Sequence, residues 1–338
     1  MKNERMVAVI TGKRCCVLEK QPFSCEKLND YEVLVQTTAT AISPGTELGC
    51  YGALDPAVAS GKAWNSYPWQ PGYSAVGKIL AMGAKVSGYQ IGQRVVWAGT
   101  HASCGIADVQ KDPRFAAIPD GVSDTDASIH YMAAISSGIV HSAGCKGGEV
   151  IALFGLGVIG NMAGQFLLGT GAKVVAFDPV AKRRAIGRQC GLTVPETTTP
   201  QAFIEELKAM TNGKGPNIGI DAVGNSAIIE QIVNIMPSLG TVIMLGTPKV
   251  AYETNITNLL LAIHRRPLTL CSSRINCVPD FAGHESAYLS MLLEKIRDGK
   301  LKIAPIITHR IKPYEIGKAY DGLLDDKENY LGAIVNWC

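Results

Sequence analysis

The stretch EVIALFGLGVIGNMAGQFLLGTGAKVVAFDP, Glu149–Pro179, decides the fold. Glu149–Phe154 is a buried-strand run of mainly apolar residues, and it ends in the glycine turn Gly155-Leu156-Gly157-Val158-Ile159-Gly160. The small-residue segment after the turn reads as a helix, and Lys173–Phe177 reads as a second buried strand closing on Asp178. A lone G-x-G-x-x-G is weak, but here strand, turn, helix, strand and acid occur in the order and spacing of a dinucleotide site. Gly155 permits the tight turn, Gly157 lets the backbone approach a pyrophosphate, and Gly160 lets helix and strand pack closely. The helix N-terminus offers free N–H groups and a positive dipole end to the phosphates. Asp178 is placed to hydrogen-bond a ribose 2′-OH and to repel a 2′-phosphate, which favours NAD. Lys182, Arg183 and Arg184 follow closely and leave NADP open.

Working toward the C-terminus, the strand–helix rhythm continues. Ala181–Gly191 and Gln201–Asn212 read as helices, Asn217–Gly224 and Gly240–Thr247 as strands, with the helix Ser226–Gly240 between them. Alternation at this spacing predicts a doubly wound parallel sheet with right-handed crossovers. The glycine turns at Val223-Gly224 and Leu245-Gly246-Thr247 end strands at the carboxyl edge, where ligands bind in open parallel sheets. Leu268–Ile275 reads as one more strand and a candidate sheet edge. Glu285–Leu301 is an amphipathic helix, and the tail after His309 holds a helix and a final strand that return to the first domain. Toward the N-terminus the text changes character. The first ~125 residues read as short β-strands punctuated by Gly and Pro, with loops able to carry function. The segment from Asp124 to Gly144 reads as one helix entering the parallel unit. The predicted α/β chain therefore has a β-rich domain, residues 1–124 and 279–338, and a dinucleotide-binding domain, residues 125–278.

Composition narrows the classes. Over 338 residues, 47% are hydrophobic and 18% charged, ordinary for a globular protein with a sizeable core. A net charge of +3 without a basic block disfavours nucleic acid. No signal-like h-region opens the chain and no apolar run reaches membrane length, so a cytoplasmic protein without a membrane partner is expected. The ten cysteines include no C-x-x-C, which argues against a tetrathiolate zinc lobe.

With the stretches SPGTELG, PGYSAVG, VSGYQIGQRV and IPDGVS added to the glycine turn, the whole chain resembles the medium-chain dehydrogenase/reductase superfamily. The resemblance implies a GroES-like catalytic domain, a Rossmann domain, a cleft between them, and a homodimer or homotetramer. It also implies a metal question. Where zinc-dependent members carry a Cys this chain has Pro44; where they carry His-Glu it has Tyr73-Ser74; the third ligand position falls at Met132–Ala133. A catalytic zinc needs three N, S or O ligands and an open position, so no zinc is expected. The chain looks most like the zinc-independent alcohol and polyol dehydrogenases.

Without a metal, hydride transfer still needs a proton donor or acceptor at the substrate oxygen. The resemblance gives Thr46 the place of the proton-relaying hydroxyl and Tyr73 that of the zinc-ligating His. Tyr73 is thus either an acid/base, if a nearby cation or dipole lowers its pKa, or a filler of the vacated space. Ser43, Glu47, His130 and Tyr131 are substrate-side candidates; Glu47 equally suits a cap or an ion pair, and His130 a packing role. Trp64, Tyr67 and Trp69 suit a substrate wall or a core. The expected activity is NAD(P)-dependent oxidation of a secondary alcohol or reduction of its ketone, on a polyol, sugar-like or other cyclic substrate. An enoyl or quinone reductase is the alternative, and a non-catalytic nucleotide-binding protein stands behind both.

Overall fold

The computed structural model describes residues 4–54, 56–248, 251–275 and 285–338. The chain divides into two compact units, Met1–Ala134 with Asp280–Cys338, and Ile135–Pro279.

The first unit opens with the antiparallel hairpin β1 (Glu4–Gly12) and β2 (Cys15–Pro22). Then come β3 (Glu32–Ala41), the short helices α1 (Thr46–Tyr51) and α2 (Pro56–Ala59), and β4 (Ala75–Met82). β5 (Arg94–Trp97), β6 (Cys104–Asp108), β7 (Ala116–Ala117) and α3 (Asp124–Ala127) follow. The helix α4 (His130–Ala143) runs out of this unit into the second. The single helix expected from Asp124 onward is broken at Ser128–Ile129. The Ser74 hydroxyl donates to Ser128 O at 2.6 Å, and His130 Nδ1 lies 3.0 Å from Ala127 O. Side chains thus take carbonyls that a continuous helix would bond itself.

The second unit alternates strand and helix: β8 (Val150–Phe154), α5 (Val158–Leu168), β9 (Lys173–Phe177), α6 (Ala181–Gln189), α7 (Pro200–Met210), β10 (Ile218–Asp221), α8 (Ser226–Ile235), β11 (Thr241–Met244), α9 (Ile256–Arg265) and β12 (Thr269–Ser272). All five strands are parallel, in the order β12-β11-β10-β8-β9. Alternate side chains of each strand enter opposite cores. Ile151, Leu153, Val174 and Ala176 pack with Ala163 and Leu167 of α5. Ala152, Phe154, Val175 and Phe177 pack with Phe203 and Leu207 of α7 and Ile232 of α8. A parallel sheet covered on both faces reads as nearly continuous apolar runs, and these strands do. The helix α9 was not anticipated from the sequence. Its Asn255 cap accepts from Thr257 N–H at 3.0 Å, and Leu259, Ala262 and Ile263 at helical spacing pack on the core.

The chain then returns through α10 (Glu285–Arg297), β13 (Ile307–Ile311), α11 (Ile316–Asp325) and β14 (Gly332–Asn336). The tail thus carries two strands where one was expected. β14 is inserted between β13 and β3 in a sheet ordered β13-β14-β3-β4-β5-β7, with β6 also on β3. One core of this unit joins Ile10, Ile42, Leu48 and Tyr51 to Tyr320, Leu323 and Val335. No described helix is long and apolar enough to cross a membrane.

Candidate active site

Two groups of residues carry the chemistry, one in each unit. In the second unit, the backbone of Gly155 turns at φ +100°, and its N–H donates to Phe177 O at 2.8 Å, tying the turn to the end of β9. At Gly160 a Cβ would lie 2.1 Å from Gly155 O, so only glycine lets α5 start this close to the turn. Gly157 differs, because a Cβ there would meet nothing of the protein within 4 Å. It is the N-cap of α5, and no side chain caps the helix. Open space over uncapped N–H groups at a helix N-terminus is what a dinucleotide pyrophosphate needs. Leu156 and Val158 point into the protein and offer only backbone; Ile159 is partly buried.

Asp178 is 3% exposed. Its two oxygens accept the N–H groups of Leu156 and Val180, each at 2.9 Å. A carboxylate has about four acceptor sites, so two remain. Arg183 approaches to 3.9 Å, while Arg184 donates to the carbonyls of Asp178 and Pro179. Asp221 is fully buried and pins the two further glycine turns. Its carboxylate accepts from Val223, Gly224 and Asn225, and its carbonyl from Leu245 and Gly246. Burial raises its pKa, opposed by those backbone donors. The exposed Val223 lies against Gly155, Gly246 against Gly224, and Thr247 is exposed at the same edge. The predicted cofactor residues are therefore gathered at the carboxyl edge of the sheet.

In the first unit, the Tyr73 hydroxyl donates to Ser43 Oγ at 2.6 Å, and Thr46 supplies a second hydroxyl. The Tyr131 ring stands edge-on to Tyr73, centroids 5.5 Å apart. Burial pushes the Tyr73 phenol up to about 12; Glu47 and Tyr131 add to the rise, and the Ser43 and Thr46 hydroxyls oppose it. The lowered pKa a tyrosine needs to act as a base is not what this environment produces: the Tyr73 phenol stays protonated at physiological pH and can act as a donor.

Glu47 corrects a second expectation. It is 0% exposed and belongs to the interior rather than to a substrate surface. One oxygen accepts the Ser43 N–H at 3.0 Å; the other takes the Tyr320 hydroxyl at 2.6 Å and faces His101 Nε2 at 2.9 Å. Thr40 Oγ1 accepts from Trp337 Nε1 and meets His101 Nδ1 at 2.7 Å. His101 thus bridges the Thr40 hydroxyl and the Glu47 carboxylate through its two ring nitrogens. A buried carboxylate is tolerated only with such partners. The network fixes the 43–47 turn that presents Ser43 and Thr46 to Tyr73. Sequence reading had no signal for it, because His101 and Tyr320 lie 54 and 273 residues from Glu47.

His130, also expected at the substrate, is wholly buried, with Nδ1 near Ala127 O and Ser74 Oγ and no partner for Nε2 among the described residues. Burial, with Arg114 adding, lowers its pKa to about 3 against the opposing Ala127 carbonyl. Unfolding restores a value near 6.5, so the unfolded chain binds a proton that the folded one refuses between those limits. The resulting stability is complete above pH 6.5 and is lost as pH falls. Urea unfolding is expected to show the wild type losing about 2 kcal/mol more between pH 7 and 5 than His130→Asn. Equal losses would refute the assignment. Trp64, one of three aromatics considered for a substrate wall, is 77% exposed and meets Trp69 edge-on; Tyr67 donates to Cys50 O.

A β-rich unit with a hydroxyl-lined turn, joined to a parallel nucleotide-type sheet, defines a nicotinamide-dependent oxidoreductase. Residues 29–134 match the family described as alcohol dehydrogenase GroES-like domain, and residues 158–284 the family described as zinc-binding dehydrogenase. The chain belongs to the medium-chain dehydrogenase/reductase superfamily. It is 25% identical to an uncharacterized zinc-type alcohol dehydrogenase-like protein of Haemophilus influenzae, over 97% of this chain and 98% of that one. It is 23% identical to L-galactonate-5-dehydrogenase of Escherichia coli K12, over 90% and 92%. The solved alcohol dehydrogenase of Escherichia coli CFT073 in complex with NADH superposes with a TM-score of 0.80 at 17% identity, covering 99% of this chain and 100% of that one.

Proposed function

We propose that this chain transfers hydride between a nicotinamide cofactor and a secondary alcohol or its ketone, on a polyol or sugar-like substrate, without zinc. The observation that carries the reading is the Tyr73 phenol, hydrogen-bonded to Ser43 at the position where the superfamily's zinc enzymes hold a ligand. Pro44 has no donor atom, and Ala133 has only a methyl. Among the described residues no three His, Cys, Asp or Glu side chains gather as a ligand set. The nearest approach, Glu47 with His101, is consumed by Tyr320, Ser43 and Thr40. The donor chemistry of these residues does not fit a zinc ion.

When bound, the nicotinamide supplies or accepts the hydride. The chain's own part is to hold the substrate oxygen and manage its proton. A protonated phenol donates to a ketone oxygen and stabilises the charge that develops there. The product alkoxide is far more basic than a phenolate, since even water has a pKa of 15.7, so proton transfer from Tyr73 runs downhill in reduction. Oxidation asks the same group to act as a base, which a pKa raised to about 12 opposes. In the second unit, the Asp178 carboxylate favours NAD over a 2′-phosphate, with Arg183 as the nearest compensating charge.

Metal analysis of the purified protein, with fluorescence titration of NADH and NADPH, tests this. Absence of zinc and tighter NADH are the expected result. Stoichiometric zinc would remove the phenol from the centre of the mechanism; tighter NADPH would reverse the role given to Asp178.

A further inference from the structure

Arg114 lies in the segment between β6 and β7, close enough to His130 to help lower its pKa. Its guanidinium carbon sits 4.9 Å from the centroid of Tyr131. The same ring stands edge-on to Tyr73. Tyr131 therefore touches both the guanidinium and the Tyr73 ring within the first unit. The nearest counter-charge is Asp112, whose Oδ1 is 3.7 Å from Arg114 Nε, beyond hydrogen-bond distance. Asp112 is engaged elsewhere, accepting the backbone N–H of Ala98 at 2.9 Å and of Arg114 at 3.0 Å.

Arg94 of the same unit gives the comparison. Its side chain is 30% exposed and holds Asp124 at 2.6–2.7 Å. Arg114, at 26% exposed, is as well covered, yet no described acceptor lies within hydrogen-bond distance of its guanidinium. Five N–H donors in a fixed fork, stacked on an aromatic face and left open, are suited to a planar anion. A single cation with Asp112 close by matches the one charge of a carboxylate better than the two of a phosphate.

We propose that Arg114 seats a carboxylate of the substrate, so that the polyol is a sugar acid. This deepens the hydride-transfer reading and rests on it.

Calorimetric binding of gluconate, glucitol, lactate and glucitol 6-phosphate, to the protein alone and to its NADH complex, tests the assignment. The wild type is expected to bind gluconate at least about tenfold more tightly than glucitol, the scale of one charge-assisted pair. Arg114→Gln is expected to abolish that difference while leaving NADH affinity and melting temperature unchanged, and Arg114→Lys to restore part of it. Equal or absent binding of gluconate and glucitol by the wild type overturns the proposal. So does tighter binding of lactate or of the phosphate, or a loss of NADH affinity in Arg114→Gln, which would assign the arginine to the cofactor. Turnover confined to neutral polyols would sink the carboxylate seat and leave hydride transfer standing. Acid-selective binding without turnover of any alcohol or ketone would do the reverse.

Discussion

Tyr73→Phe is expected to lower kcat for ketone reduction by about 10²-fold or more, the usual contribution of a positioned proton donor, with a much smaller change in KM. The phenylalanine keeps the ring that meets Tyr131 edge-on and removes only the hydroxyl that reaches Ser43. The pH dependence sharpens the test. Because burial raises the phenol to about 12, it is protonated across the whole neutral range. The wild-type reduction rate should therefore show no descending limb from this group between pH 6 and 9. A limb centred near neutrality would mean that another acid does the work. Loss of only two- or threefold in the variant, with an activated C=C compound as the better substrate, would favour the enoyl or quinone reductase reading, where little acid catalysis is needed.

Gly157→Val should separate cofactor binding from folding. The backbone at Gly157, φ −64° and ψ −180°, is one that any residue adopts, and a Cβ there meets no protein atom within 4 Å. Melting temperature should change little. The added side chain occupies the space over the α5 N-terminus, and overpacking of that kind costs ~1–3 kcal/mol, so NADH should bind about 10- to 100-fold more weakly. Gly160→Val is the contrast: its Cβ collides with Gly155 O, and stability should fall together with binding. Unaltered NADH affinity in Gly157→Val would place the pyrophosphate elsewhere.

The parallel unit was legible because each of its signals is local. Glycine turn, flanking apolar strands and terminal acid fall within some thirty residues, and tertiary structure had only to leave them alone. The helix α9 also carries local signals, the Asn255 cap and the helical spacing of Leu259, Ala262 and Ile263. The break between α3 and α4 carries none. It depends on Ser74, 54 residues before Ser128, reaching a carbonyl that a continuous helix would have used. The candidate site was half legible for the same reason. Superfamily resemblance placed Tyr73, Ser43 and Thr46 together, but the burial of Glu47 depends on His101 and Tyr320, and no spacing rule links residues so far apart. Arg114 carried no motif at all. What marks it is a guanidinium stacked on Tyr131 with no hydrogen-bond acceptor among the described residues, which only the three-dimensional structure reveals.

The return of the C-terminal segment also sets an order of events during synthesis. β14 sits inside the sheet between β13 and β3, and Tyr320 completes the bonding of Glu47. As the chain leaves the ribosome, residues 1–134 emerge first but lack an inner strand and about half of one core until residues 316–336 have followed. The nucleotide unit, uninterrupted from Ile135 to Pro279, has all its strands in hand well before that. The polypeptide is therefore built so that the part made second can finish first, and the part that holds Tyr73 closes only once β14 has emerged.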